Sequence, residues 1–229
     1  MMECNIELWS NVIPTWFSAI GTVGAVVVAI FARPIRDWWC RPKITMECNR
    51  KNNACVEVLN SEAETSDTSK SIKIRVLLQN NGSNVAYHAV LNIDSYLKKR
   101  DKSEDYVKIE YTPKKLKDHC DTTPNKIAPH LKYYYDVAII QKADGMMSSS
   151  GEEKAKQFYK LYLLGEGKRK PLGKGDFIIP LKFYAANTNT QTSYLKIYWD
   201  GDDFCMDASH FGVELMTEKD FTKIKIYNN

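Results

Sequence analysis

Hydrophobic and polar positions divide the chain into two regimes. From Val12 to Ala32, the run VIPTWFSAIGTVGAVVVAIFA carries no charge over 21 residues, and Arg33 bounds it. A helix rises about 1.5 Å per residue, so a run of this length covers the roughly 30 Å hydrocarbon core of a bilayer with its backbone groups satisfied internally. From Lys43 the period changes to two. Ile44, Met46 and Cys48 alternate with polar positions, as do Ile72, Ile74, Val76 and Leu78. The alternation predicts strands over 44–48, 55–59, 72–78, 85–97, 106–111, 131–141, 177–185, 192–199, 211–216 and 221–227. Asn80-Asn81-Gly82 reads as a turn and predicts a hairpin between the strands at 72–78 and 85–97. Only Glu152–Leu164 returns to helical spacing, with Ala155, Phe158, Leu161 and Tyr162 on one face and Gly165 as a stop.

Short strands at such intervals, joined by polar turns and interrupted by one short helix, predict a mainly-β domain built as an antiparallel β-sandwich, with a small closed β-barrel as the alternative. The chain then divides into an outer flank (1–11), a transmembrane helix (12–32), a juxtamembrane collar (33–42) and one soluble domain (43–229), which is long enough to bury its own core. A net charge of +4 is compatible with anionic lipid, nucleotide or nucleic acid and selects none of them.

Charge does set an orientation. Glu3 and Glu7 precede the apolar run, whereas Arg33, Arg36, Arg41 and Lys43 follow it against the single Asp37. The basic flank belongs on the cytoplasmic side, which puts the amino terminus outside and the domain inside. The acidic amino-terminal region, and Ile30 at the −3 place of a break after Ala32, argue against a cleaved signal peptide. Trp9 and Trp16 on one side, with Trp38 and Trp39 on the other, stand where amphipathic rings meet headgroups, and the arginines add lipid contacts before Pro42 stops the helix. Ser18, Thr22, Ala25 and Ala29 recur on one stripe beside Gly21, a surface on which membrane helices associate closely, so a homo-oligomer is one expectation. In a reducing compartment the six cysteines read as buried hydrophobes or idle thiols.

Candidate chemistry is sparse. The loop Gly165–Gly175, GEGKRKPLGKG, offers glycines for close backbone approach and Lys168, Arg169, Lys170 and Lys174 for phosphate or nucleotide charge. It is no P-loop, because Lys168 replaces the first glycine and Gly175 stands at the magnesium-binding hydroxyl position, so a solvated hairpin is the competing reading. Asp200, Asp202 and Asp203 form an acidic turn without the further ligands of a calcium loop. Tyr133, Tyr134 and Tyr135, with Lys114, Lys115 and Lys117, could stack bases and meet phosphates, but tyrosines on alternating strands usually fill a core. The sequence predicts no catalytic set, no metal and no cofactor.

The run WSNVIPTWFSAIGTVGAVVVAIFARPIRDWWCRPKI, with LLQNNGSNVAYHAVLNI after it, resembles a class of uncharacterised bacterial proteins with one N-terminal crossing, a tryptophan-bearing collar and an immunoglobulin-like cytosolic domain. The resemblance implies a bacterial inner membrane and brings no catalytic residues. Two functions are expected: a non-enzymatic module that holds a cytosolic partner at the membrane, or an oligomeric, membrane-perturbing effector of anti-phage defence whose β-domain senses a nucleotide or protein signal.

Overall fold

The computed structural model describes residues 13–51, 54–61, 69–101, 103–117, 126–142, 159–165, 170–201 and 210–227. They fall into two compact units, Met1–Arg41 and Pro42–Asn229. The first unit is the helix α1, Ile13–Trp39, which runs on past Ala32 and contains Pro34. Cys40 N closes its last turn on Arg36 O at 2.8 Å, and the residue before Pro42 cannot easily continue a helix. The window Pro14–Ala32 is long and apolar enough to cross a bilayer, and none of it is buried.

The second unit is mainly β, with fourteen strands among the described residues, four of them only two residues long. In the first sheet, β3 (Ser69–Asn80) pairs along one edge with β8 (Lys132–Lys142). Its other edge is shared by β1 (Ile44–Glu47) and β2 (Val56–Ser61), and β9 (Tyr159–Leu163) and β10 (Lys170–Pro171) follow β8. The second sheet has the order β13 (Phe211–Met216), β12 (Thr188–Trp199), β11 (Gly175–Ala185), β5 (Val90–Lys99), β6 (Tyr106–Lys115), β14 (Ile226–Tyr227). Its pairs are antiparallel except β14 on β6. A small ladder joins β4 (Ala86–Tyr87) to β7 (Lys126–Ile127). Both long sheets feed one core: Ile72, Ile74 and Val76 of β3 share a buried cluster with Phe177, Ile179 and Leu181 of β11. Neither sheet path returns on itself, so the expected alternative of a closed barrel is not found among the described residues.

Alternation placed most strands correctly, and four readings need correction. The strand expected over 85–97 is divided into β4 and β5, with His88 at a positive φ of 51° between them. The expected hairpin is absent: β3 pairs with β1, β2 and β8, whereas β5 pairs with β6 and β11 in the other sheet. Within the expected helix 152–164, residues 159–163 form β9, and 152–158 lie outside the described residues. Leu161 and Leu163 are both fully buried while Tyr162 is not, which is period two; the helical reading had put Leu161 and Tyr162 on one face. Finally, the strand expected over 221–227 is α2 (Glu218–Phe221) followed by β14. Thr217 caps that turn, its hydroxyl accepting from Asp220 N at 3.3 Å.

What replaces the hairpin is a corner built on Asn80, whose side chain is completely buried. Its Oδ1 accepts from Lys43 N at 3.1 Å and Gly82 N at 3.0 Å, and its Nδ2 donates to Asn84 O at 2.7 Å and Ile127 O at 3.1 Å. Replacing Asn80 by Ala should destabilise the β-unit by about 3 kcal/mol, since four backbone groups, two of them in fully buried hydrogen bonds, lose their partner at once. Asn81→Ala, which removes one exposed hydrogen bond to Thr45 Oγ1, should cost no more than about 0.5 kcal/mol. Urea denaturation of the detergent-solubilised chain checks the pair, and equal effects would contradict the corner's role.

Candidate functional site

The face of the second sheet turned away from the shared core is only partly covered. On β11 the alternation sends Ile179 and Leu181 inward and leaves Ile178, Pro180 and Lys182 on the other side. There Leu97, Tyr106 and Ile178 make a second apolar cluster, packed by Tyr194, Met216, Phe221 and Ile224. The carboxy-terminal segment is therefore a strap across this face. The Tyr194 and Phe221 rings stack with centroids 3.6 Å apart at 9°, and Tyr106 N donates to Lys225 O at 3.0 Å. Arg100 lies over the Tyr227 ring at 5.8 Å. Under the strap, Tyr106 Oη donates to Asp176 Oδ2 at 2.9 Å. Burial first, and then the Asp176 carboxylate, push the Tyr106 phenol well above its ordinary pKa.

Beside the strap runs an open groove of about 590 Å³. Leu97, Pro180, Tyr194, Phe221 and Ile226 supply its apolar wall. Its polar wall consists of two ion pairs, Lys182 Nζ with Asp94 Oδ2 at 2.5 Å and Lys108 Nζ with Glu110 Oε1 at 2.8 Å. Ser95 Oγ also donates to Asp94, at 3.2 Å from Oδ1. Burial works to raise the Asp94 carboxyl, but the hydrogen bond and charge of Lys182 outweigh it and the net shift is downward. The hydrogen bond to Asp94 correspondingly raises Lys182. Each cation in the groove is thus matched by an anion, and the wall offers directional polar contacts without net charge. Such a surface suits an amphipathic ligand over a polyanion.

The sequence-predicted sites lie elsewhere. Lys168 and Arg169 fall outside the described residues, Lys170 belongs to β10 and pairs with Leu163, and Lys174 is exposed. The two ends of the basic loop meet different neighbours. A Cβ on Gly165 would come within 2.9 Å of Lys114 Cβ, and one on Gly201 within 2.7 Å of Lys174 Cβ. Gly165 has a positive φ, so close chain approach accounts for that loop glycine, whereas Gly173, also at positive φ, has open space around it. Tyr135 lies in the core, while Tyr133 and Tyr134 are half-buried. Asp200 pairs with His210 Nδ1, and Asp202 and Asp203 lie outside the described residues. Among the described residues no three His, Cys, Asp or Glu side chains gather to hold a metal ion.

On α1, Trp16 and Trp39 are 66% and 75% exposed, and Arg36 is exposed as well, as is Arg41 just beyond the helix. Arg33 and Trp38 are part of the helix, and Trp9 lies outside the described residues. Ser18, Gly21, Thr22, Ala25 and Ala29 are all exposed, with the Thr22 hydroxyl donating back to Ser18 O at 2.8 Å.

The chain matches no protein-family model, no curated protein and no solved structure. The groove therefore stands on its own geometry. Sequence reading missed Asp94, Lys182, Tyr194 and Phe221. The available signal was the outward phase of two strands, where Asp94 and Lys182 interrupt apolar runs, together with the T-E-K-D cap that turns the chain back over them. In a double-mutant cycle of Asp94→Asn and Lys182→Met, the coupling should be about 0.5 to 1 kcal/mol, modest because both side chains reach solvent. A lowered acid loses its contribution as pH falls through its folded pKa, and a raised lysine loses its own as pH rises through its folded pKa. The coupling should therefore be flat between about pH 5 and pH 10 and vanish on both sides. Denaturation midpoints across pH measure it, and coupling that persists in strong acid would remove Asp94 from the pair.

Proposed function

We propose that this chain is a non-enzymatic binding module anchored in a bacterial inner membrane by α1, with its amino terminus outside and an immunoglobulin-like β-sandwich in the cytoplasm. The domain holds a protein partner at the membrane, and the groove beside the strap receives it. The observation that carries this reading is the pairing of an apolar helical window, Pro14–Ala32, none of which is buried, with a β-unit that has an aromatic, charge-balanced groove of its own. Apolar surface on the scale of α1 calls for lipid or another protein to cover it. A groove with Tyr194 and Phe221 in its wall has the composition of an interface centre, where aromatic side chains are enriched and unpaired charge is scarce. Its volume accommodates a few side chains of a partner, not a whole surface.

A photo-crosslinking residue at Thr192, which lines the groove and is exposed, should give a discrete protein adduct in native membranes. Lys182→Glu, which sets a second anion beside Asp94, should abolish that adduct without unfolding the strands. Adducts unchanged by Lys182→Glu would rule out the groove as the docking place.

The effector reading rests on a different feature, the uncovered small-residue stripe. The back-bonded Thr22 hydroxyl leaves that stripe with little to do except pack. If the stripe is an interface, the detergent-solubilised chain should show the mass of a closed oligomer, and Ala25→Leu with Ala29→Leu should return it to a monomer. A monomeric parent chain would leave α1 as an anchor alone.

A further inference from the structure

The Asn80 corner gathers more than backbone. Main-chain groups of Lys43, Ile127 and His130 bond to Asn80, and Ile127 belongs to the ladder in which Tyr87 pairs with Lys126. The turn between β11 and β12 closes on the same place: Ala186 N donates to Tyr87 O at 2.9 Å, and Asn187 Oδ1 accepts from Tyr87 N at 3.1 Å. One end of the β-unit is thereby assembled from separate stretches of chain. Among the described residues two non-glycines have positive φ, His88 at 51° and His130 at 61°, and both lie here. Each adjoins an exposed apolar side chain, Tyr87 at 44% and Leu131 at 53% exposure.

Charge is segregated at this end. Lys43, Lys126 and Lys132 are exposed, and none of them joins an ion pair among the described residues. Lys126 Nζ instead lies 5.7 Å from the centre of the Tyr87 ring. The stretches that meet here, 42–46, 79–90, 126–133 and 184–190, contain no Asp or Glu. In the groove, by contrast, each lysine is matched by a carboxylate. Mild net basicity selects no ligand, but unmatched lysines set beside exposed apolar side chains do. Such lysines attract anionic headgroups, while tyrosine and leucine side chains enter the interface beneath them.

Position in the chain favours a bilayer over a soluble polyanion. Lys43 stands four positions after Trp39, the last residue of α1, and four chain steps span at most about 14 Å. We propose, on the anchor reading given above, that this end of the β-unit docks on anionic lipid headgroups. Lys43, Lys126 and Lys132 meet the phosphates, and Tyr87 and Leu131 enter the interface. β5 begins at this end, where Val90 pairs with Tyr184, and runs away from it through Asp94 and Leu97, so docking leaves the groove uncovered.

A photo-crosslinking residue at Leu131 of the full chain, reconstituted in vesicles of phosphatidylcholine and phosphatidylglycerol at roughly seven to three, tests the proposal. A second probe at Val26, within the apolar window of α1, reports on the anchor alone. Both probes should give lipid adducts. Lys126→Gln with Lys132→Gln should lower the Leu131 yield by roughly tenfold and leave the Val26 yield unchanged. Salt at about 1 M, where the screening length is about 3 Å, should do the same, as should phosphatidylcholine alone. Lys160→Gln, an exposed lysine on β9 opposite Gln141 at the far end of β8, should change neither yield. Lipid adducts at Val26 with none at Leu131 would overturn the docking and keep the anchor; adducts at neither would overturn both. A Leu131 yield indifferent to phosphatidylglycerol and to the lysines would also overturn the proposal. So would an added oligonucleotide that takes the Leu131 adducts in place of lipid, which would assign this end to a soluble polyanion.

Discussion

The β-unit depends on a buried amide. Where a chain leaves one sheet for another, its backbone loses the ladder that satisfied it, and at the end of β3 no water replaces the lost partners, because Asn80 is fully buried. An asparagine side chain carries an acceptor and a two-proton donor in one small plane, and here all of that capacity is used on main-chain groups. Asn80 also accepts from His130 N through its own carbonyl, at 2.7 Å. The start of β1, the crossing after β3, the end of β7 and the entry to β8 are thereby tied to one residue. Aspartate could not donate and leucine could do neither. The position of the crossing in turn fixes which strands face each other across the shared core.

This corner also marks the boundary of what the sequence could show. Period-two alternation reveals which residues of a strand turn inward, and it located β13 and the ends of β11 and β12 to the residue, while β11 starts two residues and β12 four residues earlier than expected. It carries no information about which strand lies alongside. Asn80-Asn81-Gly82 is a true change of direction, but a turn signal is the same whether the next strand joins the same sheet or the opposite one. The groove was less legible for the same reason. Lys182 and Asp94 are 88 residues apart and meet only because β11 runs antiparallel to β5 with Lys182 opposite Asn92. The basic loop Gly165–Gly175 drew attention because its charges are neighbours in sequence. The charges that meet in space are distant in sequence, and no local window contains them.

Self-neutralisation recurs on both sheets. On the first, Arg75 is nearly buried at the junction where β1 gives way to β2, with Nε on Asp136 Oδ1 at 2.8 Å and Nη2 on Glu57 Oε2 at 2.5 Å, while Lys73 reaches the same Asp136 at 3.2 Å. Two cations and two anions close the account. A buried guanidinium without those carboxylates would be strongly destabilising, and with them it is close to neutral. The net charge of +4 is thus not concentrated in either cluster. This argues against reading mild basicity as a site, and the groove wall likewise presents its charges as pairs.

The strap links that groove to stability. None of the α2 residues is buried, so the segment is held chiefly by the Tyr194–Phe221 stack, the pairing of β14 with β6 and the Tyr106–Lys225 hydrogen bond. A turn held by so few contacts opens at lower free energy than the core beneath it. Phe221 and Ile226 are at once parts of the strap and walls of the groove. Under the proposed function, a partner that touches them would bind the docked strap in preference, and by linkage it would favour docking by as much as docking favours it. Occupancy of the groove and order of the carboxy-terminal segment are therefore one equilibrium. A partner's affinity is set as much by how often the strap is closed as by the contacts made once it is.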